Sequence, residues 1–176
     1  MEIQTSHWAL NFRDVLVAKG ILPDVVGDQS MGIGGECYGT VTRTGSAVRS
    51  VRPGSVVLAF PPGGMGSVVV VDEQWVLAQS SALAAVPAVS GTMAYATAWL
   101  ALHLQARVQA GMVVLIHSAA GGVGLAALAL CVRAGCRVLA TASTEEKRRV
   151  LIERGAAAAF NSRSPPDFAS GVRAAT

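Results

Sequence analysis

Val113-Val114-Leu115-Ile116-His117 runs straight into Ser118-Ala119-Ala120-Gly121-Gly122-Val123-Gly124, and that glycine cluster opens an Ala- and Leu-rich stretch closed by Gly135. An unbroken apolar run of this length reads as a parallel strand covered on both faces. Leu125 to Ala134 reads as a helix with a glycine stop. Arg137 to Thr141 follows as a second strand, Glu145 to Arg154 as a second helix ahead of Gly155, and Ala156 to Phe160 as a third strand. Strand, helix, strand, helix, strand with short connections is half of a doubly wound α/β sheet.

The first strand-to-helix turn is where chemistry is expected. A phosphate can approach a helix start only if the backbone there carries little side-chain bulk, and the free N–H groups and dipole of the first turn then hold its charge. Ser118, Gly121 and Gly124 spell S-x-x-G-x-x-G, with Gly122 and Val123 between. This is a variant of the dinucleotide loop in the strand-loop-helix context that the motif requires. The alternative for the glycines is a tight structural turn.

The end of the second strand decides between nucleotides. An NAD site places a carboxylate on the ribose hydroxyls, whereas an NADP site offers hydroxyls and cations to the extra phosphate. In Thr141-Ala142-Ser143-Thr144-Glu145-Glu146-Lys147-Arg148, Ser143 and Lys147 suit a phosphate, as does Arg163 further on. Glu145 and Glu146 fit better as first-turn residues opposing the helix dipole. The pattern favours NADPH, with a solvated helix face as the alternative for Lys147 and Arg148.

The first half reads differently. Short β-type runs at Gly39 to Val41, Ser55 to Phe60 and Ser67 to Val71 lie between Gly- and Pro-rich turns, which suggests a small barrel or sandwich. A helical pattern between Ala88 and Leu104 marks the crossing, so the expected domains are 1–88 and 89–176. A length of 176 residues suits two small domains, and 52% hydrophobic against 14% charged residues excludes disorder over most of the chain. Apolar runs are cut well before the ~20 residues that span a bilayer. Glu2-Ile3-Gln4-Thr5 lacks the basic start of a signal peptide, which places the chain in the cytoplasm. Arginines spread along the chain give no nucleic-acid patch, and Cys37, Cys131 and Cys136 with three scattered histidines give no zinc constellation.

The chain resembles the enoyl reductase domains of modular polyketide synthases and animal-type fatty acid synthases, in the medium-chain dehydrogenase/reductase superfamily. The resemblance rests on Leu10-Asn11-Phe12-Arg13-Asp14-Val15-Leu16, Gly34-Gly35-Glu36-Cys37-Tyr38-Gly39, Tyr95-Ala96-Thr97-Ala98-Trp99, Val114 to Gly124, and Asn161-Ser162-Arg163. It implies an α/β chain with a partial GroES-like β-barrel followed by a partial Rossmann doubly wound parallel sheet. It further implies NADPH, hydride delivery to the β-carbon of an enoyl thioester, and protonation of the resulting enolate at the α-carbon. The substrate would be carried on a carrier protein, beside other synthase domains. By the same resemblance Gly121 to Gly124 hold the pyrophosphate, Ser143, Lys147 and Arg163 hold the ribose phosphate, and Thr97 lies near the nicotinamide. Lys147 and Asp167 match the family's proton donors. Lys147 fits the cofactor role better, and Asp167 has helix capping as its alternative.

Zinc-dependent relatives carry metal ligands where this chain has Asn11 and Gly35, so no metal is expected. Asn11 and Asp14 are candidates for substrate or cofactor contact, with local bonds that fix a loop as the alternative. Glu36 reads as a buried structural carboxylate, Cys37 as core and His117 as a satisfied strand-end histidine. Leu22 stands where some related reductases have a tyrosine acting on the enolate, and Ser55 where an acidic turn residue is common. The family domain extends beyond both ends of this sequence, so a fragment is expected. The competing functions are a zinc-free quinone or enone oxidoreductase and an inactive structural segment.

Overall fold

A computed structural model describes residues 1–176 apart from 23, 24, 27, 28, 31, 62, 64 and 80–90, and describes residues 25, 26, 29, 30, 165 and 167 by their backbone alone. The chain divides into two compact units, Met1–Thr92 and Met93–Thr176. The expected boundary at 88/89 lies outside the described residues.

The first unit is antiparallel. Its strands are β1 (Glu2–Ala9), β4 (Glu36–Arg43), β5 (Val56–Ala59), β6 (Val68–Val70) and β7 (Val76–Ala78), ordered β6-β1-β4-β5-β7. A separate pair, β2 (Val25–Val26) and β3 (Gln29–Ser30), and a short helix α1 (Phe12–Ala18) complete it. Alternation sets the faces: Cys37, Gly39 and Val41 of β4 point inward, and Thr40 and Thr42 outward. The inward set joins Ile3, Val57, Ala59 and Val69 in one core. Burial there pushes the Cys37 thiol up to about 11, so it stays protonated.

The Leu10–Leu16 segment is tied down by its own polar groups. At the start of α1, Asp14 accepts Asn11 N–H at 2.7 Å and Gly34 N–H at 3.0 Å. Asn11 Nδ2 donates to Glu36 Oε1 at 3.0 Å. Asp14 and Glu36 are both buried, which they tolerate because these donors satisfy them. Ser55 Oγ accepts Arg52 N–H at 3.1 Å, closing the turn where an acidic residue is common.

Glu73 gives this unit a pH dependence. Hydrogen bonds from the side chain and main chain of Ser50, then from Arg49 N–H, lower its carboxyl from the ordinary 4.5 to about 2. A depressed folded value means that the stabilisation is complete above about pH 4.5 and is lost as pH falls toward 2. Thermal melts of Glu73→Gln should therefore fall below wild type near neutrality and converge with it at about pH 2. A gap that stays constant across that range would contradict this account.

The second unit holds a parallel sheet of β8 (Val113–Ile116), β9 (Arg137–Ala142) and β10 (Ala158–Asn161), in the order β10-β9-β8. The helices are α2 (Thr92–Trp99), continued by a π-helical stretch (Leu100–Gln105), then α3 (Gly122–Arg133), α4 (Glu145–Glu153) and α5 (Pro165–Ala175). Gly135 at φ +77° and Gly155 at φ +101° stop α3 and α4 in the left-handed conformation that glycine adopts at low cost. Third, second, first is the strand order of one half of a doubly wound sheet.

The apolar run of β8 was expected to be covered on both faces in a whole domain and to be left bare in a fragment; Val113 and Leu115 are 45% and 37% exposed. In the sheet as described, β9 lies between β8 and β10, and five of its six residues are buried.

Candidate functional site

Because β8, β9 and β10 are parallel, their C-terminal ends lie along one edge, the position at which open α/β sheets bind ligands. The loops leaving the three strands line a cavity of about 420 Å³. Ser118, Ala120 and Gly121 come from the loop after β8, and Ser143 and Lys147 from the turn and first helical turn after β9. Ser162 and Arg163 follow β10, and Ala142 forms part of the wall. Among the described residues the lining thus has three hydroxyls, two cations and no carboxylate. Among the described residues neither Lys147 nor Arg163 forms an ion pair. Two unpaired cations over a shared opening repel each other, and an anion between them removes that repulsion.

The loop is held from below. Ala119 N–H donates to Thr141 O at 3.0 Å, Gly121 N–H to Ser118 O at 2.9 Å and Leu125 N–H to Gly121 O at 2.8 Å. Helix geometry leaves the N–H groups of Gly122, Val123 and Gly124 without partners inside α3, so they are available to an anion. The glycines have different duties. A Cβ on Gly124 would lie 2.5 Å from Ala119 Cα and 2.6 Å from Ser118 O. One on Gly122 would meet only Ala94 Cβ, at 3.8 Å. Gly124 lets the helix pack against the loop, whereas Gly122 leaves room that no described residue fills.

The helix start after β9 is capped by Thr144, whose Oγ1 accepts Lys147 N–H at 3.4 Å. Glu146 has its carboxyl held below the ordinary range by the Thr144 hydroxyl and its own N–H, and neither it nor Glu145 lines the cavity. Arg148 donates to Ala142 O at 3.4 Å, tied to the strand end. His117 Nδ1 lies 3.3 Å from Thr141 Oγ1, and its ring centroid is 5.4 Å from that of Phe168.

The structure therefore brings Ser118, Gly121, Ser143, Lys147 and Arg163 to one opening, with Gly122, Val123 and Gly124 in the adjoining first turn of α3. Of the other three candidates, Thr97 lies outside this lining, Asn11 belongs to the other unit and Asp167 is described by its backbone alone. Thr97, on α2, donates its hydroxyl to Met93 O at 2.7 Å. The Asn11 amide donates to Glu36. Asp167 sits third in α5. The capping alternative for Asp167 is corrected: Ser164 occupies the N-cap position, because Pro165 and Pro166 already fill the first two helical places. Ser162 was missed by sequence reasoning. Its signal was position alone, one residue past a strand whose C-terminal end faces the loop.

Three further expectations concern metal, membrane and the enolate. Among the described residues no three His, Cys, Asp or Glu side chains converge as a metal-binding group. No described helix is long and apolar enough to cross a membrane. Leu22, the residue in place of the tyrosine, is 40% exposed and offers no proton.

A family model described as zinc-binding dehydrogenase matches residues 122–176, a span with two cysteines and no histidine. One of the subunits of the phenolphthiocerol/phthiocerol polyketide synthase of Mycobacterium tuberculosis is 39% identical over 172 residues, covering 98% of this chain and 8% of that protein. The crystal structure of CurK enoyl reductase superposes with a TM-score of 0.87 at 33% identity, over 99% of this chain and 55% of that one. Mycobacterial Rv1454c complexed with NADPH gives 0.88 at 26% identity, over 99% and 54%. The chain thus spans under a tenth of the curated relative and about half of each of the two solved chains.

Proposed function

From a chain that belongs to the medium-chain dehydrogenase/reductase superfamily, as a polyketide-synthase enoyl reductase segment, we propose an NADPH site serving reduction of the α,β double bond of an enoyl thioester. The observation that carries this reading is the cavity after β8, β9 and β10, with its hydroxyls and cations and, among the described residues, no acid. Ser143, Ser162, Lys147 and Arg163 would hold the ribose phosphate, and the first-turn N–H groups of α3 the pyrophosphate. The residues fit such a group, because Gly121 and Gly122 leave the approach to that turn open. When bound, a reduced nicotinamide supplies the hydride for the β-carbon.

Lys147 serves the phosphate in this reading, since one ammonium cannot stay against a phosphate and also reach the α-carbon. Asp167, in the first turn of α5, is left as the candidate proton donor. Thr97 is assigned beside the nicotinamide by its match to the family segment, and Asn11 by the same route to cofactor or substrate. The thioester would arrive on a carrier protein among other synthase domains.

Fluorescence titration should give a dissociation constant at least about tenfold lower for NADPH than for NADH, as one retained charge-assisted phosphate contact requires. Equal or absent binding would end the assignment. Turnover of a crotonyl thioester in preference to quinones tests the substrate class, and a quinone-only enzyme would sink that part.

A further inference from the structure

We infer that Thr141 is a positioning residue for the dinucleotide loop, acting through Ser118 and His117; the inference rests on the reading of the cavity as a dinucleotide site. Thr141 is the fifth residue of β9 and is 1% exposed. Its strand neighbours Val138, Leu139, Ala140 and Ala142 are apolar and buried. An isosteric valine would fill the same space, so packing alone does not account for a hydroxyl here.

The hydroxyl has two partners in the loop. Ser118 N–H donates to Thr141 Oγ1 at 3.3 Å, and His117 Nδ1 stands at the same distance from that oxygen. A threonine hydroxyl has one proton to give. The oxygen has two lone pairs, so accepting from Ser118 does not by itself place the proton; at this buried position no other described group accepts it, and we assign it to His117 Nδ1 as the unprotonated ring nitrogen. His117 carries its hydrogen on Nε2, and the chain Ser118 N–H to Thr141 O–H to His117 Nδ1 runs in a single direction.

Ser118 is where such a clamp has something to hold. Its φ is +50°, left-handed, one of two described non-glycine residues with positive φ. That conformation costs a non-glycine residue about 1–2 kcal/mol and persists only when its surroundings fix it. Ser118 also lines the cavity, and its carbonyl accepts Gly121 N–H. Releasing Ser118 therefore moves both a cavity wall and the entry to α3. Phe168 packs against the His117 ring from α5 and restricts its rotation away from Thr141.

The test compares wild type, Thr141→Val and Thr141→Ser by titration with NADPH and with NADH. The valine variant should bind both nucleotides about tenfold more weakly, the equivalent of one hydrogen bond. The loss is equal because the loop serves the part that both nucleotides share. KM for NADPH should rise with kcat unchanged at saturation, and serine should restore affinity to within about twofold, since it keeps the hydroxyl. Nitrogen NMR of wild-type His117 should show the Nε2–H tautomer. Equal affinity of valine variant and wild type, failure of serine to restore it, or an Nδ1–H tautomer in wild type overturns the inference. The tautomer is read without any variant having to fold. Wild type that binds neither nucleotide overturns the functional reading and this inference with it, whereas wild type that binds while valine changes nothing overturns the inference alone.

Discussion

Gly124→Ala should cost about 2 kcal/mol of stability and weaken dinucleotide binding by about two orders of magnitude. The dinucleotide fingerprint often accepts alanine at its last glycine. Here the added methyl would lie 2.5 Å from Ala119 Cα and 2.7 Å from Ala119 C, main-chain atoms that have no rotamer in which to retreat. Either α3 moves away from the loop or the loop moves, and Ala119 is fully buried and bonded to Thr141 O at 3.0 Å. Better helix propensity returns only about 1 kcal/mol, too little to offset an overpacked backbone contact. Melting should fall by roughly 10 °C for a unit of this size. Gly122→Ala supplies the contrast. Its methyl meets only Ala94 at ordinary distance, so the melt should hold while affinity for dinucleotide falls. A Gly124→Ala protein that melts and binds like wild type would show that the loop and helix do not depend on this contact.

The division of labour among these glycines was only partly legible in the residues. The second unit could be read because its periods are clean: an apolar run, a glycine turn and an Ala-Leu helix repeat over short connections, and each element from β8 to β10 falls within a few residues of its expected place, whereas the bounds of α5 were not anticipated. The first unit hid β1 because Ser6 is a bulge. The register jumps from Thr5 opposite Gly39 to His7 opposite Tyr38, so the alternation that marks a strand breaks in its middle. Ser143, Lys147 and Arg163 could be named from type and position, as hydroxyl and cation beyond strand ends. Ser162 could not, since one serine after a strand carries no pattern until β10 is known to lie parallel beside β9. Thr141 was hidden similarly, being a β-branched residue in a strand, where threonine is ordinary.

Replacing both cavity cations, Lys147→Ala with Arg163→Ala, should raise the dissociation constant for NADPH about a hundredfold and leave that for NADH within about twofold, turning a selective site into an indifferent one. Each cation offers a charge-assisted hydrogen bond to phosphate of about 1.5 kcal/mol, and two together give about 3 kcal/mol, or roughly two decades of affinity. Neither cation has a carboxylate partner among the described residues, so their removal strands no buried charge, and the melt should be nearly unchanged. The single variants should each lose about tenfold, with Lys147 the more sensitive to salt because an ammonium holds phosphate as a point charge. Ser143→Asp approaches the same point from the other side, since a carboxylate placed in this lining repels the phosphate while it can still accept from a ribose hydroxyl. NADPH and NADH affinities that fall together in the double variant would mean that these cations act on the shared part of the nucleotide, and the assignment of the pocket to the extra phosphate would be withdrawn.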